Sequence, residues 1–78
     1  MSTPIYLEQQ LSARLSKKGF HGFTREAKTN IVMFFAPKGY EKQYSVDVLE
    51  NGRLDLRLNA QPISEFDNAD DLCDFLLV

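Results

Sequence analysis

QYSVDVLENGRLDLRLN (residues 43–59) alternates apolar and polar side chains on both sides of a turn signal, Glu50-Asn51-Gly52. Its register follows from parity, because directly opposed residues on paired strands point to the same face of a sheet. A two-residue Asn51-Gly52 loop would set Val48 against Asp55 and Asp47 against Leu56, placing carboxylates opposite core residues. A three-residue loop, with Gly52 in the left-handed position of a G1 bulge, instead sets Val48 against Leu54, Val46 against Leu56 and Tyr44 against Leu58. That register keeps one face wholly apolar and is the one expected.

The same register puts Asp47 opposite Asp55 on the polar face. Two carboxylates so placed repel, and such pairs hold a cation or divide acid and base roles in enzymes. Arg53 and Arg57, two residues either side of Asp55, point to that face as well, and a diagonal guanidinium relieves the repulsion while weakening a metal site. A solvated charge lattice is therefore expected, with a small metal-dependent enzyme built on Asp47 and Asp55 ranked well behind it.

Working upstream, FTREA (23–27) and IVMFFA (31–36) are two further strand patterns. IVMFFA is apolar in both parities, unlike the two strands after it. One set faces the core and the other needs a cover. The expected uncovered patch centres on Val32 and Phe34, where a different protein or a second copy of the chain would dock.

The ends of the chain read as helices. Thr3 and Pro4 suit an N-cap and a first helical position. Leu7, Leu11 and Leu15 recur on one face. Gly19 is placed to close a Schellman motif, with Phe20 folding back on Leu15. Lys17 and Lys18 fall in the last turn, where cations complement the helix dipole. In SEFDNADDLCDFLLV (64–78), after NAQP breaks the last strand, Asp67 or Asn68 caps a second helix. Ala69, Leu72, Cys73 and Leu76 share its apolar arc, and Asp67, Asp70, Asp71 and Asp74 gather on the opposite side. The expected order is α-β-β-β-β-α: a four-stranded antiparallel meander with both helices on its apolar face, a two-layer α+β sandwich forming one domain over residues 1–78.

Composition narrows the function classes. With 78 residues, only about 60% of the unfolded surface can be buried, which leaves little room for a carved active site. A lone cysteine cannot close an internal disulfide, whereas small secreted domains carry several, so a reducing, cytoplasmic setting is expected. MSTPIYLEQQL lacks a basic leader region and the longest apolar run is short, so neither an export signal nor a membrane anchor is expected. No P-loop, GxGxxG, CxxC or HExxH is present, and the single histidine, His21, has no nucleophile at a suggestive spacing. No cofactor, metal or catalytic residue is expected.

Charge is uneven. Residues 1–42 carry seven basic and three acidic groups, and residues 43–78 carry two basic and eight acidic, giving +4 and −6 and a net −2. No lysine or arginine follows Leu58, so the acids of the last helix are without a local counter-charge. The expected function is that of a non-enzymatic, acidic interaction protein that modulates or inhibits a larger partner with a basic surface through Asp67, Asp70, Asp71 and Asp74. In size and charge alone, with no motif behind it, the chain resembles phage or mobile-element inhibitors that occlude basic nucleic-acid-binding surfaces. The alternative is a nucleic-acid-binding module using Arg25, Lys28, Lys38, Tyr40 and Lys42 in the basic half.

Overall fold

The computed structural model describes residues 4–26 and 28–78, with side chains from residue 6 onward. Helix α1 (Pro4–Leu15) runs into a 3₁₀ turn (Ser16–Lys18). Strands β1 (His21–Arg25), β2 (Ile31–Phe35), β3 (Gln43–Val48), β4 (Leu54–Leu58) and β5 (Gln61–Phe66) follow, and helix α2 (Ala69–Leu77) ends the fold. The strands pair antiparallel in chain order as one sheet, β1-β2-β3-β4-β5. The α+β class stands, and the strand count is corrected from four to five.

The central hairpin has the expected register: Val48 faces Leu54, Val46 faces Leu56 and Tyr44 faces Leu58. Gly52 adopts φ 85°, its N–H donates to the Leu49 carbonyl at 2.9 Å, and the Leu49 N–H donates to Arg53. This is a type I turn closed by a left-handed glycine. Helix α1 ends as its sequence implies: Phe20 N–H donates to Leu15 O (3.3 Å) and Gly19 N–H to Ser16 O (3.1 Å), with Gly19 at φ 97°. Asn68, not Asp67, caps α2, its side chain accepting the Asp71 N–H at 2.8 Å. The Thr3 cap lies outside the described residues.

The unexpected fifth strand starts at a two-residue turn. Leu58 pairs with Gln61 across Asn59 (φ 50°) and Ala60 (φ 69°), and positive φ at both central residues is what a tight hairpin with strand-matched twist requires. Asn59 also ties back to β3, where its side-chain oxygen accepts the Gln43 N–H and its own N–H donates to Gln43 O. Pro62 is accommodated because β5 is an edge strand with no outer neighbour needing its N–H. NAQP is therefore a turn and a strand start, not the end of the sheet.

Both helices cover one face. Leu7, Leu11 and Leu15 of α1 and Ala69, Leu72 and Cys73 of α2 form one core with Phe20, Val32, Phe34, Val46, Leu54 and Leu56. Phe34 is its centre, stacked on Phe23 and Tyr44 with Phe20 edge-on. Val32 and Phe34 are fully buried, which corrects the reading that placed them on the uncovered side. They stand opposite Val46 and Tyr44, and those residues are inward by the hairpin register. The uncovered parity is Ile31, Met33 and Phe35, all half-buried.

Candidate functional site: the open face of the sheet

The outer face can be laid out from the pairings. Its first row is His21, Phe35 and Gln43; its second is Thr24, Met33, Ser45 and Arg57; its third is Ile31, Asp47, Asp55 and Glu65. Strands β3 and β4 put polar or charged groups here, as a solvated sheet face does, whereas β2 puts three apolar side chains here. Both helices pack on the other side, so among the described residues no helix lies over Ile31 and Met33, whereas Phe35 lies against the rings of His21 and Tyr40.

A one-residue irregularity in β1 builds one end of this face. His21 pairs with Phe35 and Thr24 with Met33, so three steps on β1 match two on β2, and the extra residue reverses side-chain parity. Phe23 therefore points inward to stack on Phe34, and His21 points outward. Gly22 sits in the irregularity at φ 71°. His21 stacks on Phe35 (centroids 5.8 Å), and Tyr40 meets both rings edge-on at 5.0 Å. His21 Nε2 lies 2.7 Å from the Gly39 carbonyl, which makes that nitrogen the protonated one, donating to the oxygen. The ring cluster was missed in the sequence because its members come from β1, β2 and a loop. The only local signal was His21-Gly22 standing between Phe20 and Phe23.

At the other end, Asp47 and Asp55 are paired as expected. Arg57 Nε donates to Asp55 Oδ2 at 3.0 Å, so the expected guanidinium is in place. Arg53, also read as a neighbour of Asp55, reaches instead across to Glu65 (3.1 Å) and Asp67 (2.7 Å). Among the described residues no three His, Cys, Asp or Glu side chains converge as metal ligands.

The acidic face of α2 is not without counter-charge. Arg14 of α1, 56 residues from Asp70, bonds Asp70 at 2.6 Å and Asp74 at 3.2 Å, while Arg53 holds Asp67. Asp71 alone of the four has no ion pair among the described residues. The absence of basic residues after Leu58 was misleading because the cations arrive through tertiary packing. Cys73 is fully buried, and burial pushes its thiol pKa up; Arg14 opposes that and Asp70 and Asp74 add to it. It is a core residue with the character of an inert thiol.

The basic candidates separate into two groups. Lys38, Tyr40 and Lys42 lie in the β2–β3 loop beside the ring cluster, whereas Arg25 and Lys28 lie at the opposite end of β1. Strands of this length are about 17 Å long, so the two groups form no single patch. No helix among the described residues is long and apolar enough to cross a membrane. No protein-family model matches the chain, and no curated protein or solved structure resembles it closely enough to be matched.

Proposed function

We propose that this chain is a non-enzymatic interaction protein that seats a larger protein partner on the open face of its sheet and modulates it by occupying a surface. The observation that carries the reading is the half-buried stripe Ile31, Met33 and Phe35, apolar on a strand whose other face already supplies the core. Aromatic and apolar anchors supply most of the affinity in such interfaces, and charges at the rim steer encounter. Asp47, beside Ile31, borders the stripe, while Asp55 and Glu65 are engaged by Arg57 and Arg53, and this favours a partner with a basic group at its rim. With Asp70 and Asp74 engaged by Arg14 and Asp67 by Arg53, the sheet face is a better anchor than the helix face. The lone buried cysteine suits a reducing, cytoplasmic setting.

The test is affinity capture after nuclease treatment, comparing wild type with Met33→Lys and Asp71→Asn, each first shown to be folded by circular dichroism. Proteins retained by wild type and Asp71→Asn but lost with Met33→Lys support the sheet face. Identical capture by all three variants rules it out. A second copy of the chain is the competing occupant, and sedimentation of wild type against Met33→Lys identifies it.

A further inference from the structure

The pole of the molecule beside the ring cluster combines groups that the sequence keeps apart. Gly19, which ends the α1 turn carrying Lys17 and Lys18, lies so close to Pro37 that a β-carbon on it would be 3.1 Å from Pro37 Cβ. That contact brings Lys17 and Lys18 to the same end of the fold as Lys38 and Lys42. All four are exposed, and none has an ion pair among the described residues. Glu41 is the one acid in the loop. On α2, Asp70 and Asp74 are held by Arg14.

The loop between β2 and β3 has a fixed shape. Lys38 takes φ 66°, a left-handed conformation that strains a residue with a side chain, and Gly39 takes φ 127°. The His21 hydrogen bond to Gly39 O holds this turn. Tyr40 packs edge-on against His21 and Phe35 yet remains 73% exposed, so its ring is fixed in place and open to solvent. Beside it lies a shallow concavity of about 230 Å³ lined by Ala36, Pro37, Lys38, Gly39, Glu41 and Lys42. This volume falls below the ~300–1,000 Å³ of drug-sized ligand sites and suits a phosphate or a sugar.

We infer that this pole binds single-stranded nucleic acid, with a base stacked on Tyr40 and successive phosphates met by Lys38, Lys42 and the Lys17-Lys18 pair. Stacking on a held aromatic ring beside unpaired cations is how sequence-tolerant single-strand binders work. The inference does not rest on protein binding at the sheet stripe, with which it shares only Phe35, the ring that supports Tyr40. The overall charge of −2 is no obstacle, because Asp47, Asp55 and Glu65 share a row that begins four residues along β3 from Gln43, about 13 Å away, beyond a Debye length of about 8 Å. Arg25 and Lys28 take no part.

The experiment is fluorescence anisotropy with a labelled oligothymidine of about 12 nucleotides, within the ~4–16 of one single-strand site, measured across a salt series. Contact with three or four phosphates gives a slope of log K against log salt of about −2 to −3, and Lys38→Gln with Lys42→Gln brings it to about −1. Tyr40→Ala weakens binding at least about fivefold without changing the slope, as loss of one stacked base does. Glu41→Gln tightens binding. The sites are exposed, so unchanged circular dichroism shows that folding is not the cause. The inference is overturned by absence of binding at low salt, or by binding that neither Tyr40→Ala nor the double lysine change weakens. Equal competition by a poly-glutamate peptide also overturns it, since the pole would then be a dock for acidic protein segments.

Discussion

Gly22 and Phe35 are in such close approach that a β-carbon on Gly22 would lie 2.7 Å from Phe35 Cδ2, nearer than real side-chain carbons come. With Gly22 at φ 71°, a side chain there meets both backbone strain and a collision. Gly22→Ala should therefore cost about 2–4 kcal/mol, combining the left-handed penalty with overpacking. Urea denaturation checks it, and a loss below about 0.5 kcal/mol, the range of ordinary surface changes, would mean that the β1 irregularity is not held by this glycine.

Adjacent residues on β2 should respond very differently. Phe34→Ala empties the centre of the core and should cost about 3–5 kcal/mol, most of the stability of so small a domain. Met33→Ala, on the open face, should cost about 1 kcal/mol, in keeping with half-burial. Thermal melts of the two variants side by side decide which parity faces the helices.

The Asp47–Asp55 pair should bind no divalent cation tightly, since Arg57 already supplies the neighbouring positive charge. Titration with Mg²⁺ should leave the amide resonances of both residues in place. In Arg57→Gln, the same titration should move them. Shifts of equal size in wild type would revive the metal reading.

Cys73 links stability to alkaline pH. Its folded pKa is raised above the ordinary 9.0, so above that pH the unfolded chain loses the thiol proton first and binds fewer protons than the folded one. Stability is therefore unaffected by this group below pH 9.0 and falls as pH rises past it, by at most about 1.4 kcal/mol per pH unit, until the folded thiol ionises too. Urea midpoints of wild type should decline more steeply over this range than those of Cys73→Ala. Parallel decline in both would remove the thiol from the account.

The parts of the fold legible in the sequence are those fixed by neighbours in the chain. The Val46–Leu56 register follows from side-chain parity around one glycine turn, and the Gly19 cap follows from helix-end hydrogen bonding. Strand β5 was not legible because its turn uses Ala60 where glycine would be the usual signal, and because Pro62 reads as a strand breaker unless the strand is known to be an edge. The outward parity of β2 was misassigned for lack of a register between β2 and β3, whose seven-residue connection, residues 36–42, sets none by length alone. Given the pairing of Phe34 with Tyr44, the open face follows. The ion pairs of Arg14 needed the packing of two helices from opposite ends of the chain.

The two borders of the sheet share a device. The irregularity beside Gly22 distorts β1, while the shift in pairing between Leu56 and Arg57, next to Pro62, distorts β5. Neither border presents a flat row of regularly spaced donors and acceptors, so neither is a good template for another chain to extend the ladder. Growth into fibres is disfavoured on both sides. Any molecule that engages this sheet has to approach it broadside, by shape and side chains rather than by backbone pairing, which leaves recognition to the few residues that stand up from its surface.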